Sequence, residues 1–130
     1  VAFEREGERL QMIAVNAAAL GVPTLEIEAG DAPATFARKA PPDAIFMGGD
    51  VGNDDLFDAC WSALKSGGRL VANGVTLEME RVLLDLQARL GGTLTRIDIA
   101  RASPVGSMQG WRAAMPVTQW CWIKQQDVTI

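Results

Sequence analysis

Segments with the pattern of a β-strand alternate with segments with the pattern of an α-helix through residues 1–92 of the chain. Strand patterns cover 1–5, 24–30, 43–49 and 69–75. The helix patterns that follow them are 6–21, a short one from Asp31 toward Lys39, 53–68 and 76–92. Strands joined through helices pair in parallel, with helices on both faces of the sheet. The alternation therefore predicts a doubly wound α/β fold.

The chain after residue 92 loses this alternation. Residues 93–101 and 117–125 are two strand patterns in succession, which predict an antiparallel edge hairpin. The intervening residues, 102–116, have no helix pattern and are predicted to form a long loop that is functional or faces a partner.

Local signals predict where several helices begin and end and what they bury. Asn53 is a predicted N-cap, and the glycine pairs at 67–68 and 91–92 are predicted C-caps. The first helix is expected to bury one face. The last strand pattern places Trp120 and Trp122 on one face, for packing or subunit contact rather than catalysis. The apolar face predicted for the first helix consists of Leu10, Ile13, Ala14, Ala17 and Leu20.

Length and charge limit the classes of function. The chain has 130 residues, of which 48% are hydrophobic, and this predicts one domain covering 1–130. Its net charge of -4 and its pI near 4.7 argue against nucleic acid as a partner. No apolar run predicts a membrane span, and Cys60 and Cys121 are interpreted as buried thiols of a cytoplasmic protein.

Ligands of doubly wound sheets bind where strands end. This rule selects four short segments, 4–5, 30–32, 48–50 and 73–78. Glu4 is either an acceptor for two ribose hydroxyls or a solvated surface acid. Asp31 is either a helix cap or a contact to an adenine edge. Gly48 and Gly49 either form a tight turn or let a flat ligand approach the main chain.

Five strings resemble one known family in their order and spacing: GDAP, PDAIFMGG, GGRLVANGVTLE, GGTLTRIDIARASPVG and GW followed by PVTQW. They are similar to the C-terminal domain of the decarboxylating precorrin-6Y methyltransferases, which use S-adenosylmethionine in cobalamin biosynthesis. The resemblance implies a Rossmann-like class I methyltransferase sheet, mostly parallel with an antiparallel C-terminal hairpin. It also implies methylation of a tetrapyrrole at carbon 15 and loss of carbon dioxide from the ring C acetate.

The resemblance also assigns roles to residues of this chain. Cofactor-binding residues would be Glu4 and Arg5 at the ribose, Gly30, Asp31 and Ala32 at the adenine, and Gly48 and Gly49 near the sulfonium and the substrate. The catalytic candidates in the wall of the reaction site are Asn73, Thr76 and Glu78. No metal and no further organic cofactor is expected, because the conjugated macrocycle can itself accept electrons during decarboxylation.

An acidic protein needs a local basic patch to bind a substrate that carries several carboxylates. Arg101 and Arg112 are the candidates, with Trp111 as a flat surface for the ring. The competing interpretation is a strand-end charge at Arg101, a solvated loop charge at Arg112 and an interface aromatic at Trp111. Asp50 either lies near the substrate or caps the next helix, and the cap is the favoured interpretation.

The family pattern has a first strand with a glycine-rich turn, which is not found in these residues. We therefore expect the domain to be N-terminally incomplete here, with that strand and a second methyltransferase domain upstream. The resemblance further implies a homo-oligomer, with a tetramer as one candidate. The alternatives are a methyltransferase for another substrate, such as transfer RNA, and a non-catalytic scaffold.

Overall fold

A computed structural model of the chain describes residues 1–36 and 39–125, without the side chains of residues 33 and 36. The end of the short helix predicted toward Lys39 falls in part on residues 37 and 38, which lie outside the described residues. The chain divides into two compact units, 1–40 and 41–130. The prediction of one domain remains a prediction.

The first unit is a strand–helix–strand–helix segment. Its elements are β1 (Ala2–Glu4), α1 (Gly7–Ala19), β2 (Ile27–Ala29) and α2 (Ala32–Phe36). The two strands pair in parallel, as the alternation predicts, with Glu4 opposite Ala29. α1 buries Ala17, but Leu20 is 79% exposed because α1 ends before it. The predicted apolar face is therefore wrong at Leu20, and Ala14 is also exposed.

The second unit contains a four-stranded sheet, two flanking helices and a separate hairpin. Its elements are β3 (Ala44–Met47), α3 (Asp54–Ala63), β4 (Arg69–Gly74), α4 (Leu77–Leu90), β5 (Thr93–Ile97), β6 (Ala100–Val105), β7 (Met108–Ala113) and β8 (Val117–Ile123). The sheet order is β3-β4-β8-β5. β3 and β4 are parallel, whereas β8 is antiparallel to both β4 and β5. The predicted antiparallel pairing of the last two sheet strands is confirmed. The predicted edge position holds only for β5, because β8 lies between β4 and β5.

The core of the second unit lies around β4 and β8. Trp120 and Leu70 are fully buried, and Trp122 stacks on Trp61 of α3 with ring centroids 3.7 Å apart. The indole nitrogen of Trp120 donates to the carbonyl of Gly91, 2.9 Å away, so the buried ring has no unpaired polar group. The packing role predicted for Trp120 and Trp122 is confirmed.

The ends of α3 and α4 test the predicted caps. The Asn53 side chain accepts a hydrogen bond from the Leu56 amide at 3.1 Å, and Gly91 is the C-cap of α4. Asp50 does not cap α3, because the chain makes a turn first, in which the Asn53 amide donates to the Asp50 carbonyl. The C-cap of α3 is Leu64, so the prediction for Gly67 and Gly68 is also wrong.

Residues 102–116 are not the long loop that the sequence predicts. β6 and β7 form an antiparallel hairpin with Val105 opposite Met108, closed by a turn at Gly106 and Ser107. Among the described residues this two-stranded sheet pairs with no other strand. The hairpin therefore presents side chains on both of its faces.

Candidate functional site

The predicted site residues occur at strand ends in both units. In the first unit they lie at or just after the ends of β1 and β2. In the second unit they lie at or just after the ends of β3 and β4, or in the hairpin. The carboxyl ends of parallel strands share one edge of a sheet, and this places the end of β1 beside the end of β2, and the end of β3 beside that of β4.

Glu4 is the last residue of β1, and the backbone that starts α1 holds its side chain in place. Its Oε1 accepts from the amides of Arg5 and Glu6, at 2.9 and 3.0 Å. The Glu6 amide is the main cause of the lowered pKa of this carboxyl group, and the Arg5 amide and the charge of Arg9 add to it. Among the described residues, Oε2 accepts no hydrogen bond, and Arg9 is 3.9 Å from it. Glu4 thus presents an oriented, ionised oxygen.

The turn after β2 is tied directly to Glu4. The Gly30 amide donates to the Glu4 carbonyl at 3.1 Å, and Gly30 has φ of 131°, a conformation that favours glycine. Asp31 is exposed and lies immediately before α2, followed by half-buried Ala32. The predicted residues Gly30 and Glu4 are therefore brought together, with Asp31 next to them in the chain.

Arg5 has a different position from the rest of this group. Its guanidinium lies 3.6 Å from the Glu6 carboxylate, and both side chains are mostly exposed. Such surface ion pairs contribute little to stability, so the pair with Glu6 does not fix the Arg5 side chain. What the structure fixes at this position is the Arg5 backbone amide, through its bond to Glu4.

The turn after β3 contains Gly48, Gly49 and Asp50. A Cβ built on Gly49 would meet no atom of the chain, and one on Gly48 would lie 3.3 Å from the Phe46 ring. Neither glycine has a positive φ, whereas Asp50 has φ of 55°. The backbone conformation and the surrounding packing therefore do not require glycine at position 49. Open space beside the main chain is what a bound ligand needs.

The end of β4 and the start of α4 carry the three catalytic candidates. The Asn73 Oδ1 accepts from the Gln119 Nε2 at 3.0 Å, and the Thr76 hydroxyl oxygen accepts from the Met79 amide at 3.2 Å as the N-cap of α4. Glu78 is exposed in the first turn of α4. Asn73 and Thr76 thus have fixed side chains, and Glu78 is the solvent-facing carboxylate.

Three partners of this segment are absent from the sequence-based candidates. They are Gln119 and Thr118 of β8, and Glu80 of α4, whose Oε2 accepts from Thr118 at 2.7 Å and from Arg96 at 2.9 Å. Because β8 is antiparallel, its first residues lie opposite the last residues of β4. Searching only the carboxyl ends of parallel strands overlooks them, and the prediction of an antiparallel final strand was the signal that could have identified them.

The hairpin separates the remaining substrate candidates. Arg101 lies directly opposite Arg112, and the Arg112 Nε lies 3.4 Å from the Ser103 Oγ on the same face. Trp111 is adjacent to Arg112 in the strand, so its side chain points to the opposite face, where it is 80% exposed. The two arginines are brought together, and Trp111 is not on their face.

Three further features of the described part of the chain concern metal binding, disulfide bonds and membrane-spanning helices. No group of three or more His, Cys, Asp or Glu residues there could hold a metal ion. Cys60 and Cys121 are both free thiols. In residues 1–36 and 39–125, no helix has the length and apolar character needed to cross a membrane.

Comparison with known proteins identifies relatives that match nearly the whole chain. A precorrin-6Y C(5,15)-methyltransferase [decarboxylating] from a Sinorhizobium species is 57% identical over 95% of this chain. The enzyme of that name from Mycobacterium tuberculosis is 47% identical over 92% of the chain. In both cases the chain spans about 30% of the relative's own length.

A solved structure has the same fold. The C-terminal domain of precorrin-6Y C5,15-methyltransferase from Rhodobacter capsulatus superposes with a TM-score of 0.80 and is 43% identical, over 94% of this chain and 66% of that one. The fold prediction, a Rossmann-like class I methyltransferase, is confirmed. The family model described as precorrin methyltransferase domain matches residues 1–124. The chain belongs to the precorrin methyltransferase domain family.

Proposed function

We propose that this domain methylates a precorrin tetrapyrrole at carbon 15, with S-adenosylmethionine as methyl donor, and promotes decarboxylation of the ring C acetate in cobalamin biosynthesis. The names of the relatives, which align over 95% and 92% of the chain, support the substrate and the reaction. The structural observation that carries the proposal is the Glu4 carboxylate, held by two backbone amides with one oxygen available. That arrangement suits two ribose hydroxyls.

S-adenosylmethionine, when bound, supplies the methyl group. In our proposal Glu4 holds its ribose, with Arg5 contributing its backbone amide to the orientation of that carboxylate. Gly30, Asp31 and Ala32 line the adenine. Gly48 and Gly49 leave space near the sulfonium and the substrate, which the open surroundings of Gly49 support.

The paired arginines are proposed to bind carboxylates of the substrate. Like charges directly opposite each other on two strands destabilise a hairpin, and no described acidic side chain pairs with Arg101 or Arg112. A substrate carboxylate between the two guanidiniums would relieve that repulsion. Asp50, with its positive φ after Gly49, is proposed to lie near the substrate.

The catalytic group acts mainly by positioning. Methyl transfer requires an in-line, dehydrated approach of a carbon nucleophile, to which positioning contributes on the order of several kcal/mol. Asn73 and Thr76 supply amide and hydroxyl donors, and Glu78 supplies a carboxylate for proton transfer.

The hairpin is proposed to assemble copies of the chain. Val105 and Met108 lie opposite each other beside the turn and are 63% and 74% exposed, and Trp111 on the opposite face is 80% exposed. An isolated two-stranded hairpin is marginally stable in water, so a second copy that packs around its tip, against Val105 and Met108, would stabilise it. We propose a homo-oligomer, with a tetramer as one candidate. Met108→Glu should shift sedimentation toward the monomer, whereas exposed Met12→Glu should leave the assembly unchanged.

The full-length protein is proposed to contain a further strand with a glycine-rich turn and a second methyltransferase domain upstream. The chain spans about 30% of the length of the relatives that it matches, and this supports a longer full-length protein. A cytoplasmic location belongs to the same proposal, and the two free thiols are consistent with it.

Calorimetric titration of S-adenosylhomocysteine into the full-length protein tests the cofactor site. Glu4→Ala should weaken binding by about 10-fold or more, because one ribose-binding carboxylate is lost. Glu8→Ala removes an exposed acid from the first turn of α1 and should leave the affinity unchanged. If wild-type protein does not bind this ligand, the methyltransferase proposal fails and the scaffold interpretation replaces it.

The arginine pair is tested separately by titration of the tetrapyrrole, followed by its absorbance. Arg112→Gln and Arg101→Gln should each weaken binding, by about 10-fold, because a charge-assisted hydrogen bond is lost. Arg81→Gln, on an exposed position of α4, is the matched control. Unchanged affinity in both hairpin variants would remove the arginines from the site.

A further inference from the structure

The start of β8 lies at the same edge of the sheet as the end of β4. In the antiparallel register Gln119 is opposite Asn73, and Thr118 is opposite Gly74. Successive residues of a strand point to opposite faces, so Thr118 bonds to Glu80 of α4 on one face of the sheet and Gln119 bonds to Asn73 on the other. β8 therefore contributes side chains to the segment 73–80, although it is remote from it in sequence.

One of these contacts controls the direction of the Asn73 amide. The Gln119 Nε2 donates to the Asn73 Oδ1 at 3.0 Å, and both side chains are half-buried. A side-chain amide has an oxygen that accepts and a nitrogen with two hydrogens that donates. With its oxygen bonded to Gln119, Asn73 turns its nitrogen away from β8. Among the described residues, no acceptor bonds to that nitrogen.

The other end of the segment is fixed independently. The Thr76 hydroxyl caps α4, and the Glu80 carboxylate accepts from Thr118 and Arg96. Gly74 packs so closely under α4 that an added Cβ would lie 2.8 Å from the Met79 Cβ. The backbone on either side of Asn73 is thus held, and rotation of the amide is the freedom that remains to Asn73.

We infer that Gln119 is a positioning residue, which holds the Asn73 amide so that its N–H groups donate to a carboxylate or carbonyl oxygen of the tetrapyrrole. The inference rests on the proposed function, and it specifies which chemical groups of the substrate Asn73 reads. An amide fixed in this way distinguishes an oxygen acceptor from a donor at that point of the ring.

Reversing the hydrogen-bonding polarity of residue 119 tests this inference. Gln119→Glu supplies only acceptors, so the Asn73 nitrogen would turn to β8 and its oxygen would face the substrate. In the full-length enzyme we expect the KM for the tetrapyrrole to rise about 10-fold, the loss of one hydrogen bond, with a smaller change in kcat. The affinity for S-adenosylhomocysteine should not change. Gln11→Glu, an equal charge change on exposed α1, is the control.

A double-mutant cycle separates positioning from a general structural effect. In an Asn73→Ala background, Gln119→Glu should have no further effect on KM, because there is no amide left to orient. An equal rise in KM with and without Asn73 would overturn the inference, as would wild-type kinetics in Gln119→Glu. In both cases an active wild-type enzyme leaves the proposed function intact. An inactive wild-type enzyme overturns the proposed function and this inference together.

Discussion

β8 and the hairpin of β6 and β7 are neighbours in the chain and have the same strand geometry, but their side chains have different surroundings. In β8, Trp120, Thr118 and Trp122 are 0%, 5% and 7% exposed, beneath α3 and α4. In the hairpin, Trp111 is 80% exposed. The same residue type therefore stabilises the fold at position 120 and is available to another surface at position 111.

Their polar side chains differ in the same way. In β8, Thr118 bonds to Glu80 of α4 and Gln119 bonds to Asn73 of β4, and Lys124 just beyond the strand bonds to two carbonyls of the α3 end. In the hairpin, Arg101 and Arg112 face each other without an acidic partner among the described residues. Polar residues that are already satisfied position the site, whereas unsatisfied ones are suited to binding a ligand.

The largest expected difference between the two regions is in the free energy of unfolding after removal of a tryptophan. Trp120→Ala should cost about 3–5 kcal/mol, because it empties the core and leaves the Gly91 carbonyl unpaired. Trp111→Ala, the matched exposed change, should stay within about 0.5 kcal/mol. Urea denaturation, at a protein concentration too low for the chains to associate, measures the free energy of unfolding of both variants. Similar losses at the two positions would show that the hairpin is part of the folded core.

The lysine that follows β8 is expected to have the next largest effect. Its Nζ donates to the carbonyls of Trp61 and Leu64, at 2.9 and 2.8 Å, and so closes the end of α3. Lys124→Met should lower the free energy of unfolding by about 2 kcal/mol, because two carbonyls lose a charged donor. Lys65→Met breaks only the exposed pair with Asp43 and should cost less than about 0.5 kcal/mol. Denaturant titration compares them, and equal values would contradict the assigned cap.

Deleting one hydroxyl group in β8 and one in the hairpin should give a smaller difference in the free energy of unfolding. Thr118→Val removes the donor to Glu80 while keeping the side-chain volume, and we expect a loss of about 1 kcal/mol. Ser103→Ala removes an oxygen that lies 3.4 Å from the Arg112 Nε in the hairpin, and its effect should be close to zero. Thermal unfolding of the two variants provides the comparison. A larger effect at Ser103 would mean that the hairpin face is already ordered by its own hydrogen bonds.

The sequence predicts the alternating part of the fold because burial enforces a pattern there. Strands and helices through residue 92 and the caps at Asn53 and Gly91 follow from local signals. The hairpin was mistaken for a loop because both of its faces are largely exposed in the described part of the chain, so Pro104, Gly110 and the paired arginines interrupt any alternation. The periodicity that predicts strands comes from burial, and it is absent where the side chains on both faces of a hairpin are exposed.

The candidate site also has residues that local sequence signals predict and residues that they miss. Glu4, Gly30 and Asn73 were predictable because strand ends are where such folds bind ligands. The Asn73–Gln119 pair was not, since it depends on the register between β4 and β8, and register is set by tertiary packing. Asp50 was taken for a cap because an acid before a helix is a common cap, and the sequence did not show that a turn intervenes.

The smallest expected contrast concerns a buried and an exposed thiol at alkaline pH. Burial raises the pKa of the Cys60 thiol from the usual 9.0 to about 11. Above pH 9 the unfolded chain therefore loses this proton while the folded chain keeps it, so stability falls as pH rises. At pH 9, where half of the unfolded thiols are ionised, the loss is about 0.4 kcal/mol. Comparing wild type with Cys60→Ala between pH 8 and 10 should show a flatter profile for the variant.

A thiol added to the hairpin is the control for that profile. Ser107→Cys places the group in the exposed turn between β6 and β7, where it ionises at nearly the same pH in folded and unfolded chains. The pH profile of Ser107→Cys should therefore parallel that of wild type, although it has one more thiol. If it fell more steeply in protein that remains monomeric, the hairpin would be buried within a single chain. If it fell more steeply only in the assembled form, the turn would lie in the interface between copies.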